Sequence, residues 1–411
     1  MSRPERVGWD YLILFASLYA VQGVVVAYFF NFNQPYMEEA GVPHGTVGWI
    51  QSLALLPFVF KFVAGPLSDR VSLFGLGRRK PYIVLGLALQ ILGLVGLTRV
   101  DPGRSLGLFT TLAFLTVLGL ALFDTCCDGM VIDVTPPADR SRVQGTLVAS
   151  RFLSTMIFSW VFGHWLSLAG GGLRSVYLLL WACAALTLFP LALTLRVREP
   201  QRAAGTEAFQ WEALAVLIRP RSIVLLAFGA VYSTIAYGVE INLSTYYGSR
   251  GFDPGGDVGD LAALRYLGRA VGGALLPLLA PWLGRYGVLT TGVVGLALST
   301  AGQVLVGGKL SAGYWGFAFG AANGWDDAMF NVLSMEASDP RMAASTYALF
   351  MAVSNLSVMG GGFFSSSVQA WDGEYRPVFL VASLLTLASI VLIPPLKRPK
   401  GPPETPDVVA A

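Results

Sequence analysis

Apolar runs about twenty residues long recur along almost the whole chain, and each is long enough to cross a bilayer core. Twelve such segments can be counted, near 10–33, 46–68, 81–99, 106–132, 143–168, 174–195, 222–247, 259–283, 287–307, 312–334, 342–369 and 377–396. Charged residues make up only 13% of the sequence, against about 25% in a typical soluble domain. The sequence therefore predicts an all-α integral membrane protein with twelve membrane-spanning helices.

One long polar stretch separates the first six segments from the last six. This predicts a six-helix bundle at 1–196, a cytoplasmic linker at 197–221, a second six-helix bundle at 222–397 and a cytoplasmic tail at 398–411. If both termini are cytoplasmic, the loops on their side carry roughly three times as many lysines and arginines as the loops on the other side. The positive-inside rule therefore predicts a multi-pass protein of the inner or plasma membrane with cytoplasmic termini.

Charges inside the spans are the strongest indication of function, since each costs roughly 2.5–3.5 kcal/mol to insert and should face an interior or a cavity. Spans three, six, nine and twelve have none in their apolar cores, so we expect these four to face lipid. The charged spans should surround a central path. Their charges are Lys61, Asp124, Asp128, Arg151, Glu240, Arg265, Arg269, Asp326 and Asp327.

Position along the helices places Lys61, Asp124 and Arg151 at comparable depth in the cytoplasmic half of the membrane. An aspartate desolvated beside two cations can exchange protons as a cavity opens and closes, and Asp124 is the first candidate for that role. The alternative is a structural ion pair that holds helices together. Asp128 and Asp133 lie closer to the cytoplasm, where a gating or capping role is expected.

Glu240, Arg265 and Arg269 are expected nearer the outer half. Two arginines against one glutamate leave a surplus positive charge, which favours an anionic substrate because guanidinium pairs well with carboxylate or phosphate. The alternative is simple neutralisation by Glu240. Of the neighbouring Asp326 and Asp327, one is expected to face the cavity, and the sequence does not indicate which.

Polar side chains within the spans can either line the cavity or make hydrogen bonds between helices. The candidates are Gln22, Asn31, Asn33, Tyr237, Asn242 and Asn355, of which Asn355 lies in the middle of span eleven.

The segment Gly65-Pro-Leu-Ser-Asp69-Arg70, followed by Gly77-Arg78-Arg79-Lys80, resembles the signature loop of the major facilitator superfamily. The resemblance extends over the twelve spans, the two halves and the central loop. It implies two pseudo-symmetric six-helix bundles that rock about a cavity lined by spans one, four, seven and ten.

The same resemblance implies gating roles for Asp69, Arg70 and Arg78. Asp69 would contact the start of span eleven, and Arg78 would pair near the base of span four, where Asp133 is available. The matching loop of the second half, Pro281-Trp-Leu-Gly-Arg285, lacks the aspartate, so any lock there should be weaker or different.

A narrower likeness concerns Lys61, the following Pro-Leu-Ser-Asp and the loop ending Gly-Arg-Arg-Lys-Pro-Tyr. This pattern is similar to a group comprising the muropeptide permeases, acetyl-CoA transporters, folate–biopterin transporters and bacteriochlorophyll-synthase-associated proteins.

These features predict a monomeric secondary active transporter that moves a small polar or anionic organic solute by alternating access, coupled to protons. The alternative is a non-transporting membrane scaffold or assembly factor of the same fold, although a scaffold has less use for several charges in interior spans. No histidine–carboxylate pairing, metal-ligand spacing or nucleophile motif is visible in the sequence. The chain is therefore not predicted to be an enzyme, to hold a metal or cofactor, or to bind nucleic acid.

Overall fold

The computed structural model describes residues 6–73, 77–136, 139–170, 172–199, 215–337 and 343–396. Within these ranges a few helical side chains, including those of Asp69 and Arg70, are outside the described set. Thirteen α-helices are present in this part of the chain. They are α1 (Trp9–Asn31), α2 (Asn33–Glu39), α3 (His44–Leu55), α4 (Lys61–Arg70), α5 (Lys80–Leu97), α6 (Leu106–Val134), α7 (Arg140–Leu168), α8 (Val176–Arg196), α9 (Pro220–Ser249), α10 (Gly256–Gly302), α11 (Lys309–Ala337), α12 (Ala343–Ser365) and α13 (Tyr375–Ala388).

Within the described residues, nine helical stretches are long and apolar enough to cross a membrane. One of them, 256–305, combines two predicted spans, because Gly284 in α10 has a φ of 62° that breaks the helix into two. The second predicted span is divided into α3 and α4 by a short 3₁₀ turn, Leu56–Phe58, which contains a proline. Proline lacks the backbone donor that a continuous helix needs.

The tenth predicted span is α11, whose 29 residues extend about 43 Å and exceed the thickness of a bilayer core. It is not among the nine, and it carries two adjacent aspartates. With α10 counted as two spans, the observed helices account for the twelve predicted ones, and the all-α membrane fold is confirmed.

The helices form two halves, α1–α8 and α9–α13, with matching contacts. In the first half α1 packs on α7, and in the second α9 packs on α12. Between the halves, α7 packs on α10 and α3 packs on α12. We call the side where α1 begins the near side and the opposite side the far side.

Hydrogen bonds hold chain segments together on both sides. On the near side the backbone N–H of Val7 donates to Asp139. On the far side Ser167 of α7 donates to Asp253 at 2.6 Å, which joins the first half to the second.

The two halves touch at glycines towards the far side. A Cβ added to Gly259 of α10 would lie 2.8 Å from the carbonyl oxygen of Ser159 and 2.9 Å from Cα of Gly163, both in α7. The α3–α12 crossing is similar, since a Cβ on Gly48 would lie 2.6 Å from the carbonyl oxygen of Gly362. At these crossings the two helix backbones touch, and the far side of the molecule is closed there.

Candidate functional site

A cavity lies between the two halves, and both contribute charged side chains to its wall. Its lining consists of Gln22, Val26, Phe30, Phe58, Lys61, Arg151, Phe152, Thr155, Tyr237, Glu240, Tyr266, Arg269, Asn355 and Val358. None of these residues belongs to α5, α8, α13 or the part of α10 after Gly284, which form spans three, six, twelve and nine. Among the described residues, the cavity wall comes from spans one, two, five, seven, eight and eleven.

Spans four and ten contribute differently from what the resemblance implies. None of the lining residues lies on α6 or α11, the helices of those two spans. Their carboxylates instead pair with cations in the cavity wall, so they form a layer behind it. Spans two, five, eight and eleven supply much of the wall directly.

The first half contributes a lysine–aspartate pair. Lys61, in the first turn of α4, forms an ion pair with Asp124 of α6. The Asp124 side chain is only 6% exposed, whereas that of Lys61 is 19% exposed and reaches the cavity. Asp128, one turn nearer the near side, is exposed and accepts a hydrogen bond from the Tyr19 hydroxyl. A proton-exchanging role for Asp124 and a gating role for Asp128 stay predictions.

Arg151 of α7 also reaches the cavity, but it has no carboxylate within 4.0 Å among the described residues. Its guanidinium carbon lies 6.0 Å from the ring centre of Phe152. That ring also lies 5.7 Å from the guanidinium carbon of Arg269, which belongs to the other half. The Phe152 ring therefore lies near two cations, one from each half.

The second half contributes a chain of alternating charges. Arg269 of α10 approaches Glu240 of α9 at 3.3 Å, and its Nε donates to Asp327 of α11 at 2.9 Å. The Tyr237 hydroxyl accepts a further hydrogen bond from Arg269 at 3.1 Å. Glu240 also approaches the Nε of Arg265 at 3.5 Å. All four charged groups are thus connected through Glu240 and Arg269.

This arrangement corrects one sequence prediction. Arg269 pairs with Asp327 of α11 as well as with Glu240. The surplus positive charge assigned to Arg265 and Arg269 is therefore absent, because Glu240 and Asp327 supply two carboxylates. Among the described residues, the cavity cation without an ion-pair partner is Arg151 instead.

Asp326 and Asp327 point in different directions, as expected for neighbours on a helix. Asp327 faces Arg269 and the cavity side, and its side chain is 27% exposed. Asp326 is fully buried against Gly292 in the later part of α10. Neither of its carboxylate oxygens has a hydrogen-bond partner among the described residues.

The six polar candidates divide equally. Gln22, Tyr237 and Asn355 line the cavity. The other three make hydrogen bonds between helices. Asn31 bonds to Ser159 and Arg265, Asn33 bonds to Gln51, and Asn242 bonds to Ser365.

The near-side contacts differ from those that the resemblance implies. Asp133 at the end of α6 accepts a 2.7 Å hydrogen bond from Arg79, so the expected partner, Arg78, is wrong by one residue. The backbone N–H of Arg78 donates to Glu199 instead, as does that of Arg79. The predicted gating residues Asp69 and Arg70 have side chains outside the described set, as does the start of span eleven.

Sequence reasoning missed the aromatic part of the lining. Phe30, Phe58, Phe152 and Tyr266 line the cavity together with Tyr237. Two of them directly follow a predicted site arginine in the chain, Phe152 after Arg151 and Tyr266 after Arg265. That adjacency was the available signal, but aromatic residues are also common on lipid-facing surfaces.

A family model described as Major Facilitator Superfamily matches residues 12–362 of the chain. The anhydromuropeptide permease of Escherichia coli strain K12 is 24% identical over 368 residues, an alignment that covers 83% of this chain and 70% of the relative. The same permease from Escherichia coli O157:H7 is similar to the same extent.

Solved structures of transporters share the fold. The nucleoside transporter NupG superposes with a TM-score of 0.74 at 14% identity, covering 95% of this chain and 99% of NupG. A D-xylose–proton symporter superposes with a TM-score of 0.73 at 12% identity, covering 94% of this chain and 97% of the symporter. At this level of identity the superpositions concern the fold alone.

Proposed function

The chain belongs to the Major Facilitator Superfamily, whose permeases are membrane transporters rather than enzymes, and from this premise we propose that it carries a small organic anion by proton-coupled alternating access. The observation that carries this proposal is Arg151, a guanidinium in the cavity wall without an ion-pair partner among the described residues. A charge placed at membrane depth is costly unless it has a partner. An anionic group on the solute would supply that partner, and Arg can bind carboxylate or phosphate through two parallel hydrogen bonds.

Proton coupling is assigned to the Lys61–Asp124 pair. Protonation of Asp124 removes the charge that holds Lys61, and the lysine then becomes available to the solute. Deprotonation restores the internal ion pair and displaces the solute. Such competition links the charge state of one carboxylate to occupancy of the cavity, which is what coupled transport requires.

The solute class follows from the lining and from the relatives. Aromatic rings from both halves offer flat apolar faces, while Gln22, Asn355 and Tyr237 offer hydrogen bonds. Binding sites of this kind combine an apolar wall with a few polar groups that orient the ligand. The Escherichia coli relatives are named anhydromuropeptide permeases, so we propose anhydromuropeptides as the first solutes to test.

The two halves, at 1–196 and 222–397, are proposed to rock as units about the cavity within one monomer. The far side is closed where α7 meets α10, and this describes one end state of the cycle. The excess of basic residues in the near-side loops supports a cytoplasmic near side in the inner membrane.

The test is solute-dependent proton movement into sealed liposomes that contain the purified protein. Anhydromuropeptides would be compared with folates, simple sugars, amino sugars and nucleotides. Asp124→Asn would be measured beside wild type, with Asp101→Asn as the matched control, since Asp101 lies outside the cavity in an exposed far-side loop.

Proton movement that depends on one solute class and disappears only in Asp124→Asn would support the proposal. Unchanged movement in Asp124→Asn would transfer the coupling role to another carboxylate, with Asp327 first because it faces the cavity side. Folded protein that moves none of the solutes would contradict the proposal and favour the non-transporting assembly factor.

A further inference from the structure

Asn31 connects the two halves at the far-side end of the cavity. Its side chain is fully buried in α1, and its amide nitrogen donates to the Ser159 hydroxyl of α7 at 3.1 Å. Its amide oxygen accepts a 2.5 Å hydrogen bond from Nη2 of Arg265, which belongs to α10 in the other half. Since arginine can only donate, the amide orientation of Asn31 follows from this contact.

The contact lies at the crossing that closes the far side. Ser159, whose hydroxyl accepts the hydrogen bond from Asn31, is part of this crossing. Its carbonyl oxygen lies 2.8 Å from the position that a Cβ on Gly259 would take. Separating α7 from α10 at this point would require Arg265 to leave Asn31. The hydrogen bond is therefore one of the contacts that hold the halves together here.

Glu240 connects Arg265 to the cavity. One carboxylate oxygen of Glu240 lies 3.5 Å from Nε of Arg265, and the other lies 3.3 Å from Nη1 of Arg269. Glu240 and Arg269 line the cavity, whereas Arg265 does not. Only two contacts thus separate the cavity-lining cation Arg269 from the inter-half hydrogen bond.

The Arg265 guanidinium is not fully satisfied. Its Nε is buried and has no hydrogen-bond partner among the described residues, because Glu240 is shared with Arg269. A carboxylate pairs best with arginine through two parallel hydrogen bonds from neighbouring nitrogens. If Glu240 paired with Arg265 through Nε and Nη2, it would draw the guanidinium towards itself and away from Asn31.

We propose that the Asn31–Arg265 hydrogen bond is a latch on the far side and that Glu240 couples it to the charge of Arg269. When the solute anion bound at Arg151 also pairs with Arg269 in the same cavity wall, Glu240 is released to pair with Arg265. Arg265 then leaves Asn31, and α7 and α10 can separate. Asn31 and Glu240 act here as positioning residues. The anion in this scheme rests on the proposed function, but the latch does not.

The test uses no ligand. Spin labels would be attached at Arg104 and Leu310, two exposed far-side positions in different halves, after replacement of the three buried native cysteines. Distances between the labels would be measured by pulsed electron resonance in lipid nanodiscs. We expect Asn31→Ala to shift the distribution towards longer distances. Asn33→Ala should not, since Asn33 bonds to Gln51 within the same half.

Coupling is tested by combining substitutions. Arg269→Gln imitates a neutralised Arg269 and should also lengthen the distances, because it releases Glu240. In the double variant Arg269→Gln/Glu240→Gln this shift should disappear, whereas Asn31→Ala should still lengthen the distances in the presence of Glu240→Gln. Asn31→Asp replaces the amide by a carboxylate that binds Arg265 more strongly, and should shorten the distances or keep them short.

Unchanged distances in Asn31→Ala, in protein that still folds, would overturn the latch. A shift in Arg269→Gln that persists without the Glu240 carboxylate would overturn the coupling. Longer distances in both Asn31→Ala and Asn31→Asp would indicate mere loss of packing and would also overturn the latch. All of these outcomes are independent of whether any solute is transported, so they are separable from failure of the proposed function.

Discussion

Arg269 of α10 forms an ion pair with Asp327 of α11, and this contact identifies which of two adjacent carboxylates faces the cavity side. Asp326, the other carboxylate, points in a different direction and is buried against the later part of α10. Two neighbouring aspartates thus have different surroundings, and their substitution should have different effects.

We expect Asp327→Asn to reduce transport by about 10–100-fold, because hydrogen bonds to charged groups contribute roughly 1.5–3 kcal/mol. Asp326→Asn should retain transport within about twofold and keep or raise the melting temperature, since an ionised carboxylate without a partner is costly to bury. Solute uptake and thermal unfolding of both variants check this. Loss of transport in Asp326→Asn alone would contradict it.

Substitutions in the Lys61–Asp124 pair can distinguish a role in stability from a role in transport. Removing one partner of a buried pair leaves an uncompensated charge and typically costs about 3–5 kcal/mol, whereas replacing both by apolar residues can be neutral. We expect Lys61→Met to lower the melting temperature and Lys61→Met/Asp124→Leu to restore most of it. Transport should be lost in both variants. A double variant that transports normally would show that the pair is only structural.

Much of the fold could be predicted because the apolar segments have the length of the bilayer core. The helix bounds were less predictable where local chemistry interrupts a span. Pro57 divides the second span into two helices, and Gly284 marks the kink between the eighth and ninth spans. Both residues are visible in the sequence, but their effect depends on packing.

The charged residues of the candidate site could be predicted from the sequence. Which of them pair with each other could not. Whether Arg269 reaches Asp327 depends on the rotation of α10 and α11 about their axes and on their separation. Asn31 and Asn355 are both asparagines within spans, yet one lies in an inter-half hydrogen bond and the other in the cavity wall. Only tertiary packing distinguishes such positions.

The near-side ion pair is repeated in the second half by different residues. Arg79 pairs with Asp133 at the end of α6, and Arg285 pairs with Glu336 at the end of α11. The first pair is the more buried, with Asp133 4% exposed and Glu336 31% exposed. The weaker or different lock expected in the second half concerns the counterpart of Asp69, whose side chain lies outside the described set, and it stays a prediction.

Because the two pairs differ in burial, breaking each of them should lower the free energy of unfolding by a different amount. Asp133→Asn should cost roughly 3–5 kcal/mol, the usual effect of breaking a buried pair. Glu336→Gln should cost about 0–1 kcal/mol, as for exposed pairs. Thermal or denaturant unfolding in detergent measures both. Equal losses in the two variants would mean that burial does not decide the strength of these contacts.

The N-terminal segment should loosen at acidic pH. Asp139, outside the spans, pairs with Arg142 and accepts the backbone N–H of Val7, and these hydrogen bonds lower the pKa of the Asp139 carboxyl. Because the folded-state pKa is lowered, the stabilisation is present above the usual carboxyl value of about 4 and is lost as pH falls through the lower folded value.

Hydrogen exchange of the peptide that contains Val7 measures this effect. At neutral pH, Asp139→Asn should exchange faster than wild type, and the difference should disappear as the carboxyl of the wild type becomes protonated. Asp101→Asn, a change in an exposed loop on the far side, should exchange like wild type. A difference that persists at low pH would contradict the assignment to Asp139.

At the glycine contact between α7 and α10, we expect the addition of a single methyl group to have a strong effect on conformation. In Gly259→Ala the added Cβ would lie within 3 Å of backbone atoms of Ser159 and Gly163, where only backbone displacement can relieve the overlap. The variant should therefore favour a far side that is open, with longer label distances between Arg104 and Leu310. Gly248→Ala is the matched control, because a Cβ there meets nothing within 4 Å. Similar distances in both variants would show that the close crossing at Gly259 does not hold the far side closed.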